Sequence, residues 1–210
     1  MCYISNLVGP KAHNIIHVNM LHQVVEQSKL MLAQYRANLQ VTEVQVSRGN
    51  GGTRWQTPTV GFVKINFNGT VFKDSNMSGI GVVVLASCSE KITQAYKVDE
   101  IEALAALKAL SFAHKLGFRS AILKGDFLGL IEALKSEEHT LSPLGLLVED
   151  VKVFANNFVR LLYSHNKKNS NSVAHSLAKH AICISDFQVR MEDASLHIVS
   201  VLQSDVVNLL

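Results

Sequence analysis

Between Gly61 and Ala181 the spacing of apolar residues switches from every second position to every third or fourth and back, and the order of those switches leaves few folds open. Val63, Ile65 and Phe67 alternate with Lys64, Asn66 and Asn68, as in a strand with one face in a core and the other toward polar surroundings. Asn68-Gly69 closes that strand. Ser78 to Leu85 is β-branched and glycine-led, a second strand joined to the first through a turn near Asp74 to Met77. Ile92 to Tyr96 supplies a third. Helical periodicity begins at Asp99: Leu104, Leu107, Leu110 and Ala113 recur among alanines, with Asp99, Glu100 and Glu102 at the start and Lys115 and Gly117 at the end. Arg119 to Lys124 is a short apolar strand, and Gly125-Asp126 leads into a helix carrying Leu130, Ile131 and Leu134. Pro143 favours the first turn of another helix, running toward Asn157 with Leu146, Leu147, Val151 and Phe154 inward. Val159 to Ser164 forms a last strand, and Val173, Leu177, Ala178 and Ala181 stripe a closing helix. Three strands, a helix, a strand, two helices, a strand and a helix build an α/β domain with a five-stranded mixed sheet flanked by helices.

The rest of the chain reads differently. From His13 to Leu39 apolar residues again keep helical spacing, which predicts an extra N-terminal helix, and Ser47 to Thr53 concentrates glycine and small polar residues in a linker. The organisation expected is a helical segment over 1–46, a glycine-rich linker over 47–54, a domain over 55–182 opened by Trp55, and a helical tail over 183–210. With 210 residues, 48% of them hydrophobic and 18% charged, one substantial core is affordable in area and bulk disorder is excluded. Cys2, Cys88 and Cys183 are odd in number and far apart, so neither a disulfide framework nor a metal-ligand spacing is present. No apolar run approaches the roughly 18 residues of a membrane helix, and no basic-then-apolar leader opens the chain. An intracellular protein, nuclear or cytosolic, is expected, with no membrane partner. The net charge of +3 permits a polyanionic partner without demanding one. Gly79-Ile-Gly81 lacks the third glycine of a dinucleotide site, and Gly145 lacks the lysine of a phosphate loop.

Five segments together resemble the ribonuclease H-like, "reverse transcriptase-like" domain common in plant proteins and retroelement descendants. Lys64-Ile-Asn-Phe-Asn-Gly69 is similar to its first strand, which ordinarily closes with Asp-Gly, and Gly79-Ile-Gly-Val-Val-Val84 to its second. Glu102-Ala-Leu-Ala-Ala106 resembles the helix bearing the family's glutamate, and Lys124-Gly-Asp126 the strand bearing its second aspartate. Asn171-Ser-Val-Ala-His-Ser-Leu-Ala-Lys179 resembles the last helix, where a final aspartate or, in many plant members, a histidine stands. Taken singly, Glu102 could be an acid favouring a helix start, Asp126 an N-cap, Asn68-Gly69 a turn and His175 a surface residue. The resemblance implies that all four converge on one edge of one sheet.

It also implies a chemistry. Members hydrolyse the RNA strand of an RNA–DNA hybrid with two magnesium ions, which clamp the attacking and leaving oxygens and need a cluster of acids to hold them. By position the catalytic set here is Asn68, Glu102, Asp126 and His175, of which Glu102 and Asp126 retain metal-ligand roles. Asn68 stands where a carboxylate would bridge both ions, and a neutral amide oxygen bridges poorly, while the His175 nitrogen is a softer donor than magnesium prefers. Residual or no cleavage is the expectation, with fold and groove retained. Lys64, Asn66, Asn76, Lys124, Lys167, Lys168 and Asn171 are the candidate nucleic-acid contacts, the last three in a run that could equally be a solvated connection. Three readings follow: a working hybrid-directed ribonuclease, a nucleic-acid-binding module that has lost catalysis, and a retroelement-derived relic or interaction scaffold.

Overall fold

The computed structural model describes residues 62–190 together with Glu26, which is helical and exposed. The helix expected from His13 to Leu39, the linker at 47–54, Trp55 and the tail beyond residue 190 otherwise lie outside the described residues. Strands β1 (Val63–Phe72), β2 (Met77–Val83) and β3 (Ser87–Ile92) form an antiparallel meander. Strands β4 (Ser120–Gly125) and β5 (Arg160–His165) join β1 in parallel, and β6 (Phe187–Arg190) runs antiparallel to β3. The sheet order is β5-β4-β1-β2-β3-β6. Helices α1 (Val98–Lys115), α2 (Leu128–Lys135), α3 (Pro143–Ala155) and α4 (Ser172–His180) flank this mixed sheet. No helix among the described residues is long and apolar enough to cross a membrane.

Most elements stand where apolar spacing put them, and the departures have local causes. Strand β1 does not stop at Asn68-Gly69 but continues to Phe72, because both residues pair with β2, opposite Gly81 and Ile80. The turn falls beyond it, at Asn76, whose φ of 52° is left-handed, a conformation asparagine tolerates. The third strand is Ser87–Ile92 rather than Ile92 to Tyr96. Val83 pairs with Ser87 across a tight turn in which the Val84 N–H donates to the Ala86 carbonyl at 2.8 Å, so β3 begins at once. Its Ser87, Ser89 and Glu90 hide a strand whose Cys88 and Ser89 are buried. On α3 the inward residues are Gly145, Val148 and Val151, whereas Leu146, expected inside, is exposed. The start of that helix follows expectation: Pro143 opens it and the Ser142 hydroxyl accepts the Gly145 N–H at 3.0 Å.

The sheet has a sixth strand, drawn from the segment expected to be a helical tail. Phe187 to Arg190 alternates like a strand and meets the outer edge of β3, where unpaired backbone groups invite pairing. Lys108 of α1 secures it, with Nζ 2.6 Å from Glu90 Oε2 and 5.8 Å from the centre of the Phe187 ring.

Helix α1 buries nine of its eighteen residues, among them Ala103, Ala105, Ala106 and Ala109, which are fully covered where it lies on the sheet. Small residues also set how near the helices come. A Cβ at Gly69 would lie 2.7 Å from the Ile101 carbonyl of α1, and one at Gly81 would lie 2.2 Å from the Ala174 oxygen of α4. Glycine at both positions is a packing requirement. Gly81→Ala is therefore expected to destabilise the domain by about 1–3 kcal/mol through forced separation of α4 from β2. Gly129→Ala, whose Cβ would meet only the Phe127 ring at 3.5 Å, should be neutral or stabilising by up to about 1 kcal/mol. Urea unfolding of both variants checks the contrast.

Candidate active site

Pairing between β1 and β4 stops at Asn66 opposite Lys124, while β1 runs on beside β2. A crevice is thus placed at the carboxyl end of β4, where open α/β sheets gather functional groups. Asp126 follows β4 directly. The N-cap position of α2 is Phe127 and no side chain caps it, so Asp126 is not an N-cap. Glu102 comes from the start of α1, and His175 from the first turn of α4.

The four side chains meet. Asn68 Nδ2 donates to Glu102 Oε1 at 2.9 Å and to Asp126 Oδ1 at 3.1 Å, so both amide hydrogens are spent on acids. Asn68 Oδ1 lies 2.7 Å from His175 Nδ1 and has no hydrogen to give, which assigns the proton to that imidazole nitrogen. Turning the amide over would press its oxygen against two carboxyls. Its sense is fixed by its neighbours.

Asn68 and Glu102 are buried. Burial pushes the Glu102 carboxyl up to about 8, the Asp126 charge adds to that, and a bond from the Gly69 N–H works the other way. Glu102 Oε2 is buried with no hydrogen-bond partner. His175 is held below its ordinary range first by burial, then by the charges of Lys179 and Lys168, with Asp126 opposing, so the ring is neutral at pH 7.

A bridging divalent ion would need oxygen lone pairs aimed at it from the strand position. Asn68 presents hydrogens there instead. Among the described residues, no group of three or more His, Cys, Asp and Glu is placed to hold a metal ion. Two carboxyls, a hydrogen-bonded amide and an imidazole whose Nδ1 is engaged do not fit a two-metal centre.

The other candidates divide. Asn171, expected as a nucleic-acid contact, is 1% exposed and fully engaged. Its Nδ2 donates to the Phe67 carbonyl at 2.9 Å and to Asp126 Oδ1 at 3.2 Å, and its Oδ1 accepts from Asn66 at 3.3 Å. It is a strut between β1, Asp126 and the entrance of α4. Lys64 and Lys124 are half-buried beside the crevice; burial lowers both from the usual lysine range, and Lys124 lowers Lys64 further. Lys167 and Lys168 are exposed ahead of α4, and Lys168 is near enough to act on His175. Asn76 is exposed at the tip of the β1–β2 hairpin, where its left-handed backbone accounts for it.

Two groups escaped prediction. The Gly69 N–H favours the charged form of Glu102, and the signal for it is the glycine itself, which lets α1 approach. His165 places Nε2 3.3 Å from the Asp126 carbonyl, and nothing in its exposed strand-end position marked it.

Residues 66–181, more than half of the chain, match the family described as reverse transcriptase-like. No curated protein matches the sequence. Among solved structures, RNase H1 from the archaeon Halobacterium salinarum shares 21% identity at a TM-score of 0.54, over 58% of this chain and 98% of that one. The N-terminal RNase H domain of a Mycobacterium tuberculosis protein, solved as a fusion with maltose-binding protein, shares 24% at 0.53, over 58% and 94%. LC11-RNase H1, isolated from compost and solved in complex with an RNA/DNA hybrid, shares 18% at 0.52, over 58% and 96%. These likenesses establish the RNase H-like fold.

Two outcomes are expected at the site. Glu102 carries a folded-state value near 8 against 4.5 for the free carboxyl, so between those values the folded state keeps a proton the unfolded chain has released. Its contribution is complete below about 4.5 and is lost as pH rises through about 8, on the order of a few kcal/mol. Urea unfolding across that window should show the fall in wild type and a flatter profile in Glu102→Gln. Asn171→Ala, which strands the Phe67 carbonyl and one Asp126 bond, should cost about 2–4 kcal/mol in the same measurement.

Proposed function

Since the chain belongs to the reverse transcriptase-like family, we propose that it is a nucleic-acid-binding protein of RNase H-like fold, directed at RNA–DNA hybrids and impaired in cleaving them. The observation that carries this reading is the meeting of Asn68, Glu102, Asp126 and His175 in one crevice with an amide where a bridging acid is needed. The partner class is carried over from LC11-RNase H1, whose structure holds an RNA/DNA hybrid. Physical support on this chain is cationic and local. Lys64 and Lys124 border the crevice, and Lys167 and Lys168 stand exposed before α4, a spread suited to phosphates on either side of a groove.

Hydrolysis needs a water activated and aimed at a phosphorus with the developing charge absorbed. Glu102 is protonated near neutral pH, Asp126 accepts two amide N–H bonds, and His175 is a neutral donor turned toward Asn68. Asp126 Oδ2 and His175 Nε2 remain as proton acceptors, but the acid that would hold an ion beside them at position 68 is an amide. Magnesium dependence, the family's usual requirement, enters this reading as a property weakened by Asn68.

A labelled RNA–DNA duplex tests both halves. Wild type is expected to bind it with affinity falling as salt rises, at a logarithmic slope of about −2 to −4 for two to four phosphate contacts. In magnesium or manganese, wild type should cleave no faster than Asp126→Ala, while Asn68→Asp gains activity. Cleavage by wild type above that control would make it a working ribonuclease. Absence of salt-sensitive binding would leave an interaction scaffold.

A further inference from the structure

The Asn68 amide takes the place between Glu102 and Asp126 that a cation takes between two acids: it sets the partial positive charge of two N–H groups between them and holds them at fixed separation. We propose that this chain closes its site with the amide in place of a divalent ion, so that the free protein folds and keeps its site geometry without metal. Both Nδ2 hydrogens are used, at 2.9 Å to Glu102 and 3.1 Å to Asp126. The His175 contact at 2.7 Å keeps Oδ1 turned away from the acids. Asp126 Oδ1 receives a second N–H from Asn171 at 3.2 Å, and that side chain is itself buried and anchored on the Phe67 carbonyl at 2.9 Å.

An ion entering between the acids would have to displace these donors. Magnesium dehydrates reluctantly and asks for six oxygens in near-octahedral array, whereas the amides are already in place and carry no hydration shell of a charge to strip. Glu102 Oε2, buried and unpartnered, and Asp126 Oδ2 are the carboxyl oxygens that the two amides leave unengaged, and two oxygens do not make a near-octahedral coordination sphere. The inference goes beyond hybrid binding, since it concerns the free protein.

The test uses the full chain. Thermal unfolding of wild type is compared in EDTA, magnesium chloride and manganese chloride, and manganese binding is followed by electron paramagnetic resonance. The wild-type midpoint should agree across conditions within about 1 °C, with no saturable manganese site. Asn68→Asp, which adds a third acid, should melt lower in EDTA and recover by about 3–6 °C when metal exceeds its dissociation constant roughly tenfold. A saturable manganese site on wild type, or a metal-dependent rise of its midpoint, overturns the inference. If Asn68→Asp fails to fold, the resonance titration of wild type decides alone. Duplex binding measured in EDTA separates the two readings: a metal-dependent melt with intact binding sinks this inference only, and a metal-indifferent melt without binding sinks only the proposed function.

Discussion

Bare backbone contact between sheet and helices governs the geometry of this molecule. At Gly69 the sheet admits α1, and at Gly79 and Gly81 it admits α4, each at a distance that a methyl group would forbid. Because neighbouring strand residues face opposite sides, Asn68 and Gly81 share one face and Gly69 looks to the other. Glu102 and His175 can therefore reach the same asparagine from helices on different sides of the sheet. A longer standoff on either side would open hydrogen bonds of 2.9 and 2.7 Å.

Given that closeness, the charge problem has a narrow set of solutions. Two carboxyls on one small crevice repel, and burial penalises ionisation of the deeper one. The chain meets this with neutral donors: Asn68 and Asn171 supply three N–H bonds to the acids, and burial pushes the Glu102 carboxyl up to about 8. Among the buried atoms of this network only one, an oxygen of Glu102, lacks a partner. It resembles the packing of a core more than the open ligand set of a metal centre.

Apolar spacing alone located four helices and most strands, because those elements bury one face and their sequences say so. It failed where burial is not apolar. Strand β3 buries Cys88 and Ser89 and carries Ser87 and Glu90, so its alternation is chemically muted, and only the register from β2 defines it. Asn171 looked like a loop polar residue suited to a phosphate, yet its value lies in contacts with residues about a hundred positions away, which no local pattern encodes. The meeting of Asn68, Glu102, Asp126 and His175 was foreseen only through resemblance, since each residue by itself has an ordinary local explanation. Leu146 was misplaced because a glycine, Gly145, rather than a leucine, marks the inner line of α3.

Strand β6 lies past residue 181, outside the family segment, and it changes what the molecule shows to its own copies. Without it, β3 would end the sheet with six residues of unpaired amides and carbonyls, a template for strand addition. With it, Ser87 to Glu90 of that edge are paired, opposite Arg190 to Phe187. The outer edge of β3 is thus covered by a stretch that has no part in the crevice.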